Sequence, residues 1–218
     1  MAEKIILLGC GGHAKSVADA VETSGDYEIA GFVDNIRNDE FEYRGYKIIG
    51  CDSQLQEIYN SGIHYACICV GFLGKGSVRN KLYTCLKEIG FYLPPIIDPS
   101  AILAADVKVG EGAFIGKRAV VNSNAAIGKM AIINTAAVIE HDCVIGDFSH
   151  IAVSSVICGE AHIQENSFVG ANATIIQGMN VGIGAVIGAG SVVVKNVEEN
   201  MKFINKILPI YAEKLEGE

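Results

Sequence analysis

Aliphatic residues recur at every sixth position through the second half of the chain. From Val109 to Val193, fifteen consecutive sixth positions carry only Ile or Val. Two residues before each aliphatic, from Ala113 to Ser191, stands a small side chain, with Met179 as the exception. A strict period of six predicts the short strands of a hexapeptide β-helix, because the apolar face of an α-helix would recur at i, i+3 and i+4 instead.

Three such hexads close one triangular coil, so fifteen hexads predict five stacked coils. One β-branched side chain per strand would point into the interior of the coil. Gly follows the aliphatic residue in seven hexads, where we expect it to relieve a backbone with unusual φ. These positions are Gly110, Gly116, Gly128, Gly146, Gly170, Gly182 and Gly188. The period does not determine the handedness of the coil, although parallel crossovers are normally right-handed.

The first part of the chain alternates between strand-like and helix-like segments. Strands are predicted at 4–8, 27–33, 45–49 and 65–70, and helices at 14–22, 53–60 and 77–89. This alternation predicts a small parallel sheet, a Rossmann-like α/β domain, and Pro94-Pro95 ends it. The predicted domains are a Rossmann-like domain at 1–95, a β-helix at 96–197 and a C-terminal tail at 198–218. Residues 211–218 of the tail are predicted to form a short helix or a frayed end.

Composition excludes several classes of protein. Half of the 218 residues are hydrophobic and 19% are charged, as in a globular chain. The net charge of −8 argues against a nucleic-acid binder. No apolar run is long enough for membrane insertion, and the N-terminus offers no signal peptide. Seven cysteines, mostly in apolar runs, indicate reduced side chains in a cytoplasmic protein, and Cys67-x-Cys69 lacks the spacing of a metal site.

A triangular prism has flat walls that can pack against each other. Closed symmetry is the rule for soluble oligomers. We therefore expect a homotrimer of this chain, in which the prisms pack around a three-fold axis.

Polar residues replace Gly in the turns between Asn134 and His150. His141 follows Ile139 by two places and should point away from the interior, next to the carboxylate of Asp142. Such an imidazole can take a proton near neutral pH, and a carboxylate raises its basicity. His150 lies half a coil further on, on a different wall, so both histidines face one cleft only if it lies between subunits. The alternative is that both are ordinary surface turn residues.

A glycine-rich turn follows the first predicted strand. Gly9-x-Gly11-Gly12 opens a helix, where backbone N–H groups and the helix dipole can meet a phosphate. Asp34 ends the second strand, where an acidic residue often meets a ribose hydroxyl. An NAD site and a plain tight turn both remain open readings of this loose motif.

Together these segments resemble the PglD/NeuD family of bacterial sugar acetyltransferases. The resemblance is carried by Gly9-Cys10-Gly11-Gly12-His13, by Val33-Asp34-Asn35, and by the phrase from Asn134 to His150 with Glu140-His141-Asp142 at its centre. It implies a left-handed β-helix after the α/β domain. It also implies a nucleotide-sugar or sugar acceptor on the N-terminal domain and acetyl-CoA in a groove between subunits.

The resemblance further implies a role for individual residues. His141 would be the general base, Asp142 would tune it, and His150 would contact the thioester carbonyl of the acetyl donor. Ala171 and Ala189 would meet the pantetheine arm of coenzyme A. The phosphates or sugar of the acceptor would contact Gly11, Gly12 and His13. Its nucleoside would contact Asp34 and Asn35, and Gly71 would line the same pocket. The family's C-terminal Gly-Val-Pro-Ala phrase is replaced here at 203–206, so no coenzyme A contact is carried over there.

The predicted reaction is acetyl-CoA-dependent N-acetylation of a nucleotide-linked amino sugar of the UDP-4-amino-sugar type, for surface glycan or glycoprotein biosynthesis. The acceptor would attack the thioester directly, and no metal is expected. One alternative is O-acetylation of a sialic acid or capsular sugar by the same site. Two others come from different classes: a non-catalytic β-helix binding or assembly module, and an NAD-binding protein with a β-helix assembly domain.

Overall fold

A computed structural model describes residues 2–35, 41–72 and 78–205. The chain begins with alternating strands and helices. These are β1 (Glu3–Leu8), α1 (Gly12–Ser24), β2 (Tyr27–Val33), β3 (Glu42–Tyr43), β4 (Tyr46–Gly50), a 3-10 turn (Asp52–Gln54), α2 (Leu55–Asn60), β5 (Tyr65–Ile68) and α3 (Val78–Ile89). The seven predicted elements are confirmed with ends that move by up to two residues, while β3 and the separate 3-10 turn were not predicted.

The described strands of this region form one sheet in the order β3-β4-β2-β1-β5. All neighbours are parallel except β3, which pairs antiparallel with β4. Helix α1 buries Ala14, Val17, Ala18 and Val21, at the i, i+3, i+4, i+7 spacing of an amphipathic helix. It ends at Gly25, whose φ of 71° lets its N–H reach the Val21 carbonyl at 3.1 Å.

Short two-residue strands make up the rest of the described chain and form three parallel sheets, the walls of a prism. The first wall contains β7 (Ile102–Leu103), β10 (Val120–Val121), β13 (Val138–Ile139), β16 (Val156–Ile157), β19 (Thr174–Ile175) and β22 (Val192–Val193). The second wall contains β8 (Lys108–Val109), β11 (Ala126–Ile127), β14 (Val144–Ile145), β17 (His162–Ile163) and β20 (Asn180–Val181). The third wall contains β6 (Ile96–Ile97), β9 (Phe114–Ile115), β12 (Ile132–Ile133), β15 (His150–Ile151), β18 (Phe168–Val169), β21 (Val186–Ile187) and β23 (Lys202–Phe203).

The predicted coil length is confirmed by the register, in which Val120 pairs with Val138 and Val138 pairs with Val156, eighteen residues apart. The aliphatic second residue of each strand and the small residue two places earlier fill a single interior. Strands β6 and β7 precede the regular period but lie within the predicted β-helix at 96–197, whereas β23 extends the stack past residue 197. The chain therefore has the expected Rossmann-like domain followed by a left-handed parallel β-helix.

The expectation that the recurring Gly relieves unusual φ is wrong. The left-handed backbone lies two residues later in each turn, at φ of 55° to 60° in ten successive turns from Arg118 to Asn172. The recurring glycines instead permit the coils to stack closely. A Cβ on Gly146 would lie 2.5 Å from the Glu165 nitrogen of the next coil, and one on Gly128 would lie 2.7 Å from the Asp147 nitrogen.

The α/β domain packs on the third wall of the prism. Phe114 and Ile132 of this wall share a buried cluster with α1 and β1. Arg79 of α3 is buried, and its guanidinium donates hydrogen bonds to the carbonyls of Met130 and Phe148 at the adjoining corner. Lys117 of the prism lies 2.5 Å from Asp19 of α1. These contacts fix which wall faces the α/β domain.

The C-terminal segment is described only as far as residue 205. The predicted short helix or frayed end at 211–218 lies outside the described residues. The domain limits at 95 and 197 stay predictions.

Candidate functional site

His141 stands at the corner between the first and second walls, in the turn after β13. Its side chain is 51% exposed, and its Nδ1 lies 2.8 Å from Oδ2 of Asp142. Asp142 adopts φ of 59°, a left-handed conformation that Asp tolerates better than most residues. In the neutral imidazole Nδ1–H donates to the carboxylate, which leaves the Nε2 lone pair to accept a proton.

The surroundings of His141 are acidic. The hydrogen bond that His141 donates to Asp142 is the main cause that raises the pKa of His141 above its ordinary value, and the charges on Asp142, Glu140 and Glu160 act in the same direction. The pKa of Asp142 is lowered, first by a hydrogen bond from Asn124 and then by His141. The pair is therefore an ionised carboxylate that holds a comparatively basic imidazole.

Two neighbours of this pair were missed by sequence reasoning. Asn124 lies one coil earlier, and its Nδ2 donates to Oδ1 of Asp142 at 2.7 Å. Gly159 lies one coil later, beneath the ring of His141, and a Cβ there would come within 2.6 Å of the ring's Nε2. Each is eighteen residues from the residue that it contacts, so the coil length is the signal that would have found them.

His150 lies on the third wall beneath the α/β domain, only 7% exposed. Its Nδ1 is 2.6 Å from the Phe72 carbonyl, and its Nε2 is 3.3 Å from the Asn134 amide. Nδ1–H therefore donates to the carbonyl, while Nε2 accepts from the amide. Burial lowers the pKa of His150 to about 4, so the ring is neutral and its N–H is already in use. In the single chain the Nδ1–H of His150 is taken by the Phe72 carbonyl, and the contact of His150 with a thioester carbonyl stays a prediction.

His13 lies next to His150. Burial is the main cause that lowers the pKa of His13 to about 3, and the charges of His150 and Arg79 add to it. The ring meets Phe114 edge-on at 5.0 Å between centroids. Its Nε2 is buried without a hydrogen-bond partner among the described residues. Such an atom is costly to leave unpaired, so a ligand group is a natural partner for it.

The predicted acceptor residues meet at one edge of the α/β sheet. Gly11 and Gly12 follow β1, Asp34 and Asn35 follow β2, and Gly71 follows β5. These strands are neighbours, and ligands bind in such sheets at the carboxyl ends of the strands. A Cβ on any of the three glycines would meet nothing within 4 Å, so the backbone there is open to a ligand.

Asp34 and Asn35, the two residues that follow β2, are hydrogen-bonded to other protein groups. Oδ2 of Asp34 accepts hydrogen bonds from the Cys10 nitrogen and sulfur, both at 3.0 Å. The Asn35 amide is paired with Asp52, which accepts from Nδ2 at 2.6 Å and donates its N–H to Oδ1 at 2.9 Å. Asp34, Asn35 and Asp52 line one cavity with apolar side chains of β1, β2 and α3. Asp52 was not predicted as part of the site.

Ala171 and Ala189 stack one above the other at the corner between the third and first walls. Ala171 is half-buried and Ala189 is exposed. The Ala171 carbonyl accepts the Gly190 N–H at 2.8 Å. With methyl side chains only, the backbone of this corner is accessible to a long flexible ligand such as a pantetheine arm.

One chain does not bring all the predicted residues together. The acceptor residues and His150 lie on or above the third wall, whereas His141 and Asp142 lie at the corner opposite that wall. The prism interior separates them. Ala171 and Ala189 occupy a different corner again, with the first wall between them and His141.

Metal and membrane features were searched over the described residues. No group of three or more His, Cys, Asp or Glu side chains is placed to hold a metal ion there. In the same residues, no helix combines the length and apolar character needed to cross a membrane.

Two family models match the chain. The PglD N-terminal domain model matches residues 4–86, and a hexapeptide repeat model of succinyl-transferase matches residues 161–195. A sequence comparison with curated proteins finds no match.

Several solved structures are similar over nearly the whole chain. PerB from Caulobacter crescentus, in complex with CoA and GDP-perosamine, is 30% identical with a TM-score of 0.86, over 94% of this chain and 95% of PerB. A mutant of the GDP-perosamine N-acetyltransferase from the same organism is 28% identical with a TM-score of 0.87, over 98% and 99%. The acetyltransferase domain of PglB from Neisseria gonorrhoeae, in complex with acetyl coenzyme A, is 28% identical with a TM-score of 0.85, over 94% and 97%.

Proposed function

The chain belongs to the family of sugar acetyltransferases that includes PerB and the acetyltransferase domain of PglB, and we propose that it N-acetylates a nucleotide-linked amino sugar with acetyl-CoA. The proposed acceptor is a 4-amino sugar linked to UDP, for surface glycan or glycoprotein biosynthesis. Support comes from the similar structures, which hold CoA, acetyl-CoA or GDP-perosamine. PerB is in complex with a GDP-linked sugar, whereas the acceptor proposed here is linked to UDP.

The observation that carries the proposal is the exposed His141–Asp142 pair. Nε2 of the neutral imidazole accepts a proton from the acceptor amine as the amine nitrogen attacks the thioester carbonyl carbon. The C–S bond breaks as the amide forms, and the imidazolium returns the proton to the departing thiolate. A general base of this kind contributes about 10²- to 10⁴-fold in rate.

The acidic setting of His141 favours an amine acceptor over the alternative of a sialic acid. Glu140, Asp142 and Glu160 together attract a cationic ammonium group and repel the carboxylate of a sialic acid. An ammonium acceptor loses one proton to solvent before it attacks, and the neutral imidazole of His141 then takes the second proton, which is released as the amide forms. In the part of the chain that the structure describes, no comparable feature favours O-acetylation.

The proposed site is shared between copies of the chain. His141 and the acceptor edge lie on opposite sides of one prism, so a second copy is needed to bring them into one cleft. The outward positions of the first wall supply an apolar contact face: Ile102, Val120, Val138, Val156, Thr174 and Val192. Ile102 is 65% exposed and Val192 is 44% exposed in the single chain. We propose that this wall packs inside a homotrimer.

Acetyl-CoA fits the small-residue corner of Ala171 and Ala189. This corner adjoins the first wall, so trimer packing would set it next to a neighbouring copy and its His141. When bound, acetyl-CoA supplies the activated acetyl group. His150 would shape the acceptor side of the cleft, since its N–H is held by Phe72.

A cytoplasmic location is part of the proposal. All seven cysteines are free, and a reducing compartment keeps thiols in that state.

The reaction is tested by thiol detection of coenzyme A released from acetyl-CoA with UDP-4-amino sugars, GDP-4-amino sugars and sialic acids. Release with an amino sugar, lost in His141→Ala, is expected. Release only with a hydroxyl acceptor would move the enzyme to O-acetylation. No release and no acetyl-CoA binding would favour the assembly module, and NAD binding in its place would favour the NAD alternative.

The shared site is tested by mixing two inactive variants. His141→Ala removes the base, and Gly12→Asp places a carboxylate at the acceptor edge. If the site joins two copies, unfolded and refolded mixtures of both variants regain activity through intact composite sites. No recovery in mixed trimers, or a monomer in light scattering, would refute it.

A further inference from the structure

Asn124 belongs to the same corner of the prism as the proposed base but is not part of the motif around it. Asn124, Asp142 and Glu160 follow each other at intervals of eighteen residues, so they stack at one corner in successive coils. The Asn124 amide donates to Oδ1 of Asp142 at 2.7 Å. The other oxygen of this carboxylate, Oδ2, is the one that accepts from His141 at 2.8 Å.

The geometry assigns each oxygen of Asp142 one donor. A carboxylate on an exposed turn with a single partner can rotate about its last torsion and turn away from the imidazole. A second donor on the opposite oxygen removes that freedom, because rotation would break both hydrogen bonds. The Asn124 amide comes from the neighbouring coil, whose backbone is fixed by the strand ladder, so it is a rigid anchor.

We propose that Asn124 is a positioning residue that holds the Asp142 carboxylate in the orientation that orients His141. This inference rests on the proposed role of His141 as the base. It extends the catalytic pair to a chain of two hydrogen bonds across two coils, one between Asn124 and Asp142 and one between Asp142 and His141.

The left-handed backbone at position 124 does not by itself explain the contact that the Asn124 side chain makes. Asn124 has φ of 60°, and Asn is favoured in this left-handed region. Asn166 has φ of 56° at another corner, and among the described residues its side chain accepts one hydrogen bond, from the Asn80 amide at 3.4 Å. The two residues therefore share a backbone role, while only Asn124 contacts the catalytic pair.

The test replaces Asn124 without disturbing the turn. Asn124→Gly keeps the left-handed backbone and removes the amide, and Asn166→Gly is the matched control at the other corner. We expect kcat for acetyl transfer to fall roughly tenfold in Asn124→Gly, the factor that a hydrogen bond to a charged group typically carries. KM for acetyl-CoA should stay unchanged, and the control should keep the wild-type kcat.

A second readout needs no acceptor. The pKa of His141 is measured by NMR titration, with its signals identified by their loss in His141→Ala. In Asn124→Gly this pKa should move down toward the ordinary histidine value, because the freed carboxylate holds the ring less well. Such a shift supports the inference even if no acceptor of the panel is acetylated, so the two proposals can fail separately.

Two further variants guard against a purely structural effect. Asn124→Asp keeps the shape but replaces the N–H donor with a carboxylate that repels Asp142, and should lower kcat by at least as much as Asn124→Gly. In an Asp142→Ala background, Asn124→Gly should have no additional effect, because nothing is left for the amide to hold. An unchanged kcat and His141 pKa in Asn124→Gly, or additive losses in the double variant, would overturn the inference.

Discussion

Gly159 offers a sharp test of the proposed base, because a single methyl group there would displace His141 and little else. A Cβ built on Gly159 lies 2.6 Å from both Cε1 and Nε2 of the imidazole. Ordinary contacts between heavy atoms lie at about 3.5 Å. The ring must therefore move by roughly 1 Å, and Nε2, the atom proposed to take the proton, must move with it.

A displacement of about 1 Å can cost about 10²-fold in rate. We therefore expect kcat/KM of Gly159→Ala to fall by roughly 10- to 100-fold, which is about 1.4 to 2.7 kcal/mol on the barrier. The fold should tolerate the change. Gly159 is not among the residues with positive φ, and the atoms in contact are the end of an exposed side chain. A compatible Gly-to-Ala change stabilises a protein by about 0.4 to 1 kcal/mol, so the free energy of unfolding should not decrease.

The assay is coenzyme A release with the best acceptor of the panel, together with urea unfolding. The control is the double variant Gly159→Ala/His141→Ala, in which the methyl group has no imidazole to displace and should add nothing to the loss from His141→Ala. Wild-type kcat/KM in Gly159→Ala would refute the reasoning. A further loss in the double variant would also refute it, since the effect would then not pass through His141.

Three further predictions concern ionisation and packing. Asp142→Asn should lower the pKa of His141, so the acid limb of the kcat/KM–pH profile should move to lower pH; a limb that stays or rises contradicts the pairing. Gly146→Ala should lower the free energy of unfolding by about 1 to 3 kcal/mol in urea, because its Cβ meets backbone of the next coil. The hydrogen bond from Lys117 is the main cause that lowers the pKa of Asp19, so this pair stabilises the fold above the ordinary carboxyl pKa and the stabilisation is lost as Asp19 is protonated in acid. In Lys117→Met the free energy of unfolding should therefore fall less steeply below about pH 4 than in the wild type.

Much of the fold could be predicted from sequence because the prism is built from local repeats. Each coil places Ile or Val inward and a small residue two places earlier, so the pattern at Ile139 and Ile145 is enough to place the turn between them. The same regularity made His141 and Asp142 visible as departures from the repeat. Asn124 and Gly159 could have been found with the eighteen-residue register, since each lies directly above or below a residue already selected.

Other features depend on contacts between distant parts of the chain. The burial of His150 under the Phe72 carbonyl and the position of Arg79 on the prism corner result from docking of the α/β domain on the third wall. Nothing in the local pattern at either position encodes a partner 78 or 69 residues away. The glycine expectation failed for a related reason. The recurring glycines are required by close stacking between coils, which is a tertiary constraint, whereas the left-handed φ falls two residues later in each turn.

The amino-acid sequence by itself determined the period, the inward side chains and the corner at which His141 and Asp142 project, because strand and turn in a hexad follow from six consecutive residues. Only the tertiary structure decided that the acceptor edge and the proposed base lie on opposite sides of one prism. That separation arises because one wall, the third, presents Phe114 and Ile132 as an apolar face on which the α/β domain packs.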